Sequence, residues 1–121
     1  MDAEQGTILD RAIQSWGKAQ VLYTGPTLTG LPEPLELAQK IAADYPQFHD
    51  GLVALLSSSD QLVAAYALLT LRMMGSPVLA NLPAELLSRK GQVTVVMGCF
   101  LNAMDLGGLA RQYQKEAQRK P

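Results

Sequence analysis

At 121 residues and 13.1 kDa, the chain has room for one domain around one core, which excludes a multidomain enzyme. Apolar residues make up 48% of it and charged residues 17%, with mean hydropathy +0.06, a composition that argues against disorder. Ten basic and eleven acidic residues leave a formal charge of −1, so no whole-chain field favours nucleic acid or an anionic membrane, and a single cysteine, Cys99, excludes an intrachain disulfide framework and a cysteine-rich zinc site.

The amino terminus, Met1 to Gly6, carries two acids, no base and no apolar run, unlike a secretory signal. Thr7 is placed to cap a first helix, with Asp10 three residues on in the manner of a capping box. Ile8, Ala12, Trp16 and Ala19 then recur at helical spacing, and Val21 and Leu22 close the run. Thr24 to Pro34, with two glycines and three prolines, reads as the one long loop. A second helix follows from Pro34, marked by Leu35, Leu37, Ala38, Ile41, Ala42 and Tyr45 and stopped by Pro46. A shorter block runs from about Gln47 to Ser57. Ser57-Ser58-Ser59-Asp60 then caps a fourth helix, Gln61 to Met74, which Gly75 ends. Its apolar run is too short to span a bilayer, and the expectation is a soluble, cytoplasmic protein.

Asn81 to Ser88 forms a fifth short block, and Arg89-Lys90-Gly91 turns into a sixth, Gln92 to about Asp105. The β-branched run Val93-Thr94-Val95-Val96 also suits a strand, but a lone strand has nothing evident to pair with, so a helix is expected. Gly107-Gly108 would end it, and a polar helix, Leu109 to about Arg119, finishes the chain. These elements predict one all-α domain of six to seven helices.

Leu55-Leu56 and Leu86-Leu87 lie 31 residues apart, as do Gln61 and Gln92. Each leucine pair is followed by a polar turn and a long apolar segment, an interval that helical solenoids use because one helix pair cannot bury both its faces. Residues 52–77, with their leucine pair, acid-ended turn at Asp60, Val63, alanine-rich helix and closing Gly75-Ser76-Pro77, resemble a HEAT repeat of the short bacterial type. Residues 82–108 match more loosely, having Arg89-Lys90-Gly91 where the acid-ended turn would stand and Thr94 where the valine would. Ala64, where the family usually has arginine, fits a helix buried on more sides than usual. Beside the helices read at 7–45 and 109–119, the resemblance implies repeats at about 47–77 and 78–108, and antiparallel helical hairpins stacked as a short solenoid or bundle. It also implies scaffolding or partner binding through a concave face.

Residues suited to chemistry are few. His49, the only histidine, could act as a base or ligand with Asp44 or Asp50, but without a second histidine or cysteine nearby a helix-start role accounts for it better. Cys99 reads as a buried, unreactive thiol. Glu33 and Glu36 sit at a helix start, where the helix dipole accounts for them, and no Gly-x-Gly-x-x-Gly, P-loop or Gly-x-Ser-x-Gly motif occurs. Residues 1–60 hold eight acids and three bases, residues 61–121 seven bases and three acids. The basic tail could touch phosphates with Tyr113 stacking on a base, but a solvated last helix with Lys and Arg at its carboxyl end accounts for it better, and nucleic acid is not the expected partner.

The expected function is therefore non-catalytic binding of another protein, as an adaptor, assembly subunit or immunity-like inhibitor, with no cofactor, metal or membrane and with a homodimer possible. Its expected contacts are Tyr23, Leu28 and Leu31 in and beside the long loop, with His49 and Tyr113. The alternative is an accessory enzyme or lyase-like subunit acting on a bound small molecule through His49, Tyr66, Glu85 and Asp105.

Overall fold

The computed structural model describes residues 2–27, 30–98 and 100–119, with side chains from residue 8 onward. The chain is mixed α/β, not all-α. In order come α1 (Asp2–Lys18), β1 (Leu22–Tyr23), α2 (Glu33–Asp44), α3 (His49–Leu55), α4 (Gln61–Met74), α5 (Ala84–Leu87), β2 (Gln92–Met97), β3 (Phe100–Asp105) and α6 (Leu106–Arg119). Single 3₁₀ turns at Pro46–Phe48 and Pro77–Ala80 precede α3 and follow α4.

The centre is α4. Asp60 caps it by accepting from the N–H groups of Leu62 and Val63 at 3.0 and 3.2 Å. Gly75 closes it in the left-handed conformation, φ 69°. All nine residues from Val63 to Leu71 are buried. Three of them are alanines, which let neighbouring elements approach from several sides, and the buried hydroxyl of Thr70 donates back to Tyr66 O at 2.7 Å. Around α4 pack α1, α2, α3, α6 and the sheet, and the apolar side chains form one contiguous core.

The helix expected over Gln92 to Asp105 is instead a β-hairpin. β2 and β3 pair antiparallel in unbroken register from Gln92↔Asp105 to Met97↔Phe100, and β2 also pairs parallel with β1 through Leu22↔Val95 and Tyr23↔Val96. The pairing partners are thus the six residues of β3, just past a two-residue turn, and a two-residue strand about seventy positions earlier. Gly98, at φ 63°, supplies the left-handed residue that a tight hairpin needs. The apolar segment that matched α4 at a 31-residue offset therefore does not form a second helix, and no helical solenoid is built.

Other boundaries move as well. α1 starts at Asp2, so Thr7 lies inside the helix, and the proposed side-chain cap falls outside the described side chains. Leu22, expected to finish that helix, is in β1. Gly107 and Gly108, expected to end a helix, sit in the first turn of α6, which starts three residues earlier than expected. Gly107 is there for space, since a Cβ on it would lie 2.5 Å from Leu87 O and 2.7 Å from Arg89 O, backbone atoms that cannot swing away. Its N–H donates to Arg89 O at 2.8 Å. At Gly108 the nearest such neighbour is the end of the Arg111 side chain, at 3.7 Å.

Two predictions follow from this packing. Gly107→Ala should lower the unfolding free energy by about 1–3 kcal/mol through overpacking, while Gly108→Ala should stay within about 0.5 kcal/mol of the parent, both read from urea midpoints. Burial pushes the hydroxyls of Tyr66 and Tyr113 up from 10.0 to about 12, against the Tyr23 N–H beside the first and Arg72 beside the second. The unfolded chain then ionises first as pH rises, so stability holds below pH 10 and falls between about 10 and 12. Tyr66→Phe should flatten part of that fall in urea melts taken across the range.

Candidate functional site

The residues singled out from sequence do not converge. Tyr23 lies in β1, half-buried, with its N–H donating to the Tyr66 hydroxyl at 3.0 Å. Leu28 lies outside the described residues, and Leu31 is exposed. The long loop is stitched to the sheet at its start, where the N–H and hydroxyl of Thr24 both donate to Val96 O, at 3.1 and 2.9 Å. Tyr113 is a core residue with the Arg72 guanidinium 5.0 Å above its ring, so that ring is not on the surface to stack on a base. Arg111 donates to Leu87 O. Of the alternative catalytic set, Tyr66 is buried and donates to Val21 O at 2.8 Å, Asp105 accepts from Gln92 Nε2 at 3.0 Å, and Glu85 is exposed on α5. No three His, Cys, Asp or Glu side chains among the described residues are grouped to hold a metal ion.

Among the described residues, His49 makes the one arrangement with a catalytic outline. Its Nδ1 is 3.2 Å from Asp50 Oδ1 and its Nε2 2.6 Å from Ser76 Oγ, the order of groups in a serine hydrolase triad. The environment is wrong for that chemistry. Asp50 stands free in solvent, where its charge is screened and holds an imidazolium weakly. Ser76 is buried, and its Oγ already accepts from Val78 N at 3.2 Å as cap of the 3₁₀ turn Pro77–Ala80. His49 therefore ties the start of α3 to the end of α4, which is a structural task.

The β2–β3 hairpin is where the molecule departs from ordinary packing. Val93 and Val95 point into the core, so the residues opposite them and beyond, Met97, Phe100, Asn102 and Met104, share that helix-side face. Leu101, Ala103 and Asp105 point the other way. The hairpin outruns the helical layer: Met97, Phe100 and Leu101 are 58%, 75% and 70% exposed, and Asn102 and Ala103 are exposed too. Beneath the overhang is a cleft of about 300 Å³ between the sheet and the helices, lined by Val95, Asn102 and Met104 from the hairpin and by Leu109, Gln112 and Arg72 below. Arg72 is held there by Glu116, Nε to Oε1 at 2.9 Å.

β3 ends the sheet, whose order is β1-β2-β3. Leu106 N–H donates to Gly91 O at 2.8 Å, so alternation along the antiparallel ladder turns the backbone groups of Phe100, Asn102 and Met104 toward β2. The N–H and C=O groups of Leu101, Ala103 and Asp105 face outward. Sequence reasoning missed this surface because it put the segment in a helix. Gly98, set between the β-branched segment Val93-Thr94-Val95-Val96 and the largely apolar segment Phe100 to Met104, was the signal that could have found it.

The chain matches no protein-family model, no curated protein and no solved structure. No helix among the described residues is long and apolar enough to cross a membrane. The reading of His49 and Ser76 is open to a direct check. Ser76→Ala should cost about 1 kcal/mol through the lost cap, and Asp50→Ala should stay within about 0.5 kcal/mol, both measured by urea unfolding.

Proposed function

We propose that this chain is a non-catalytic protein-binding module, of the adaptor, assembly-subunit or inhibitor kind, and that its docking surface is the free edge of β3 with the apolar hairpin tip. The observation that carries this reading is the undefended edge. Sheets ordinarily blunt their edges with lysine, proline, bulges or a covering element, because outward N–H and C=O groups recruit further strands. β3 has no lysine, no proline and no break in register, and it carries Phe100 and Leu101 at its exposed end. Five large apolar side chains are exposed among the described residues, and three of them, Met97, Phe100 and Leu101, lie on this hairpin. Addition of a strand to such an edge takes affinity from main-chain hydrogen bonds and specificity from alternate side chains. The surface differs from the one first expected, the Thr24 to Pro34 loop, while the class of function is the same.

A photoreactive phenylalanine analogue placed at Phe100 in the native host should yield protein adducts on irradiation. The same analogue at Gln39, exposed on α2 away from the sheet, should yield none. Equal yields at the two positions, or no adduct at Phe100, would overturn the reading.

A further inference from the structure

Resting on that reading, we infer that the strand β3 receives is the β3 of a second copy of this chain, paired antiparallel about a two-fold axis through Asn102. Three features converge on a second copy. The first is geometric. A two-fold axis perpendicular to the sheet pairs like faces with like, so each β3 residue meets a residue of the same parity in the other copy. Because Leu101, Ala103 and Asp105 carry the outward backbone groups, the new ladder must join odd residues. Four registers that appose at least three β3 residues of each copy satisfy this, centred on position 101, 102, 103 or 104.

The second feature selects among them. Centring on position 103 sets Asp105 against Leu101 of the other copy, centring on 104 sets Asp105 against Ala103, and centring on 101 sets Phe100 against Asn102. Centring on Asn102 sets Leu101 against Ala103 and Phe100 against Met104, each twice, while Asn102 faces its own amide, with which it can exchange hydrogen bonds. In that register every apolar side chain on the edge meets an apolar one. No charge lies between positions 100 and 104 to repel its symmetry mate.

The third feature is a receptor for the most exposed side chain. Phe100 lies on the helix-side face, as do Asn102 and Met104, which help to line the 300 Å³ cleft together with Leu109 and Gln112. The register that puts Phe100 beside Met104 of the second copy delivers its ring to the mouth of that copy's cleft, and symmetry fills both clefts. The cleft lies at the lower end of the size range of small-molecule sites, room suited to one aromatic ring. The product is a continuous six-stranded sheet, of ordinary size. One short strand and one ring per copy bury less than the ~800 Å² per partner of stable complexes, so the dimer dissociates in the micromolar range.

The test uses the full chain with Cys99→Ser, so that an introduced thiol is its sole cysteine. Paired non-hydrogen-bonded positions in an antiparallel ladder bring Cα atoms to about 4.5 Å, within disulfide reach. On mild oxidation Asn102→Cys should form covalent dimer about tenfold faster than Leu101→Cys or Ala103→Cys. Sedimentation of the unaltered chain should show reversible dimerisation between roughly 1 and 200 µM. Ala103→Pro, which deletes an outward N–H and spares the ladder to β2, should abolish it. A monomer throughout that range, or fastest cross-linking at position 101 or 103, overturns the inference. Adducts from Phe100 to a different protein, with a monomeric chain, defeat the second copy and leave the docking edge standing; no adduct and no dimer defeats both.

Discussion

The Tyr66 hydroxyl is the point on which the two halves of this fold depend. It sits on the central helix, donates to Val21 O and accepts from Tyr23 N–H, so a single side chain secures both ends of a two-residue strand. Trp16 stacks on the same ring, with centroids 5.8 Å apart and planes within 8°, and its Nε1 donates to Pro34 O at 2.9 Å. α1, β1, the start of α2 and α4 thereby meet at one aromatic pair. A strand of two residues has too little ladder of its own to hold a position. Fixed by Tyr66, it becomes the foundation on which β2 lays its parallel pairing, and β3 follows from β2.

That dependence explains what could be read from the chain and what could not. The ends of α4 are written locally: Asp60 supplies a cap, Gly75 a left-handed stop, and both act within a few residues of where they stand. α2 is similar, opened at Glu33-Pro34 and closed where Pro46 follows Tyr45. The burial of α4 on every side was also legible, since its apolar residues leave no polar face. The hairpin is different. Its strand character is decided by pairing with Leu22 and Tyr23, which no local pattern announces, and an apolar run with β-branched residues satisfies a buried helix as well as a strand. Gly107 misled for a related reason, because its role is to let α6 approach the carbonyls of Leu87 and Arg89, and closeness of that kind has no signature along the chain.

Of the candidate site, the residues named from sequence are ones that the structure does not bring together. The apolar residues of 92–105 were expected within a helix, and three large ones on the hairpin, Met97, Phe100 and Leu101, are exposed. The expected loop contacts, by contrast, included Tyr23, whose N–H is committed to Tyr66, and the basic tail's Tyr113 is core. A side chain's availability is set by tertiary neighbours: Tyr113 is covered by Arg72, which lies forty-one positions earlier in the chain.

The base of the hairpin carries one further consequence. Leu106 N–H to Gly91 O and Gly107 N–H to Arg89 O close the segment from Arg89 to Gly107 into a loop whose two ends are fastened to each other, with Gly107 packed immovably against α5. The segment is held at its root, by Val93, Val95, the pairing of Val95 and Val96 with β1 and that junction, and Met97 and residues 100–103 contribute little to the core. The root of the hairpin thus holds its place in the fold, while the exposed side chains of Met97, Phe100 and Leu101 make few packing demands, so the tip is free to vary in sequence while the scaffold beneath remains the same.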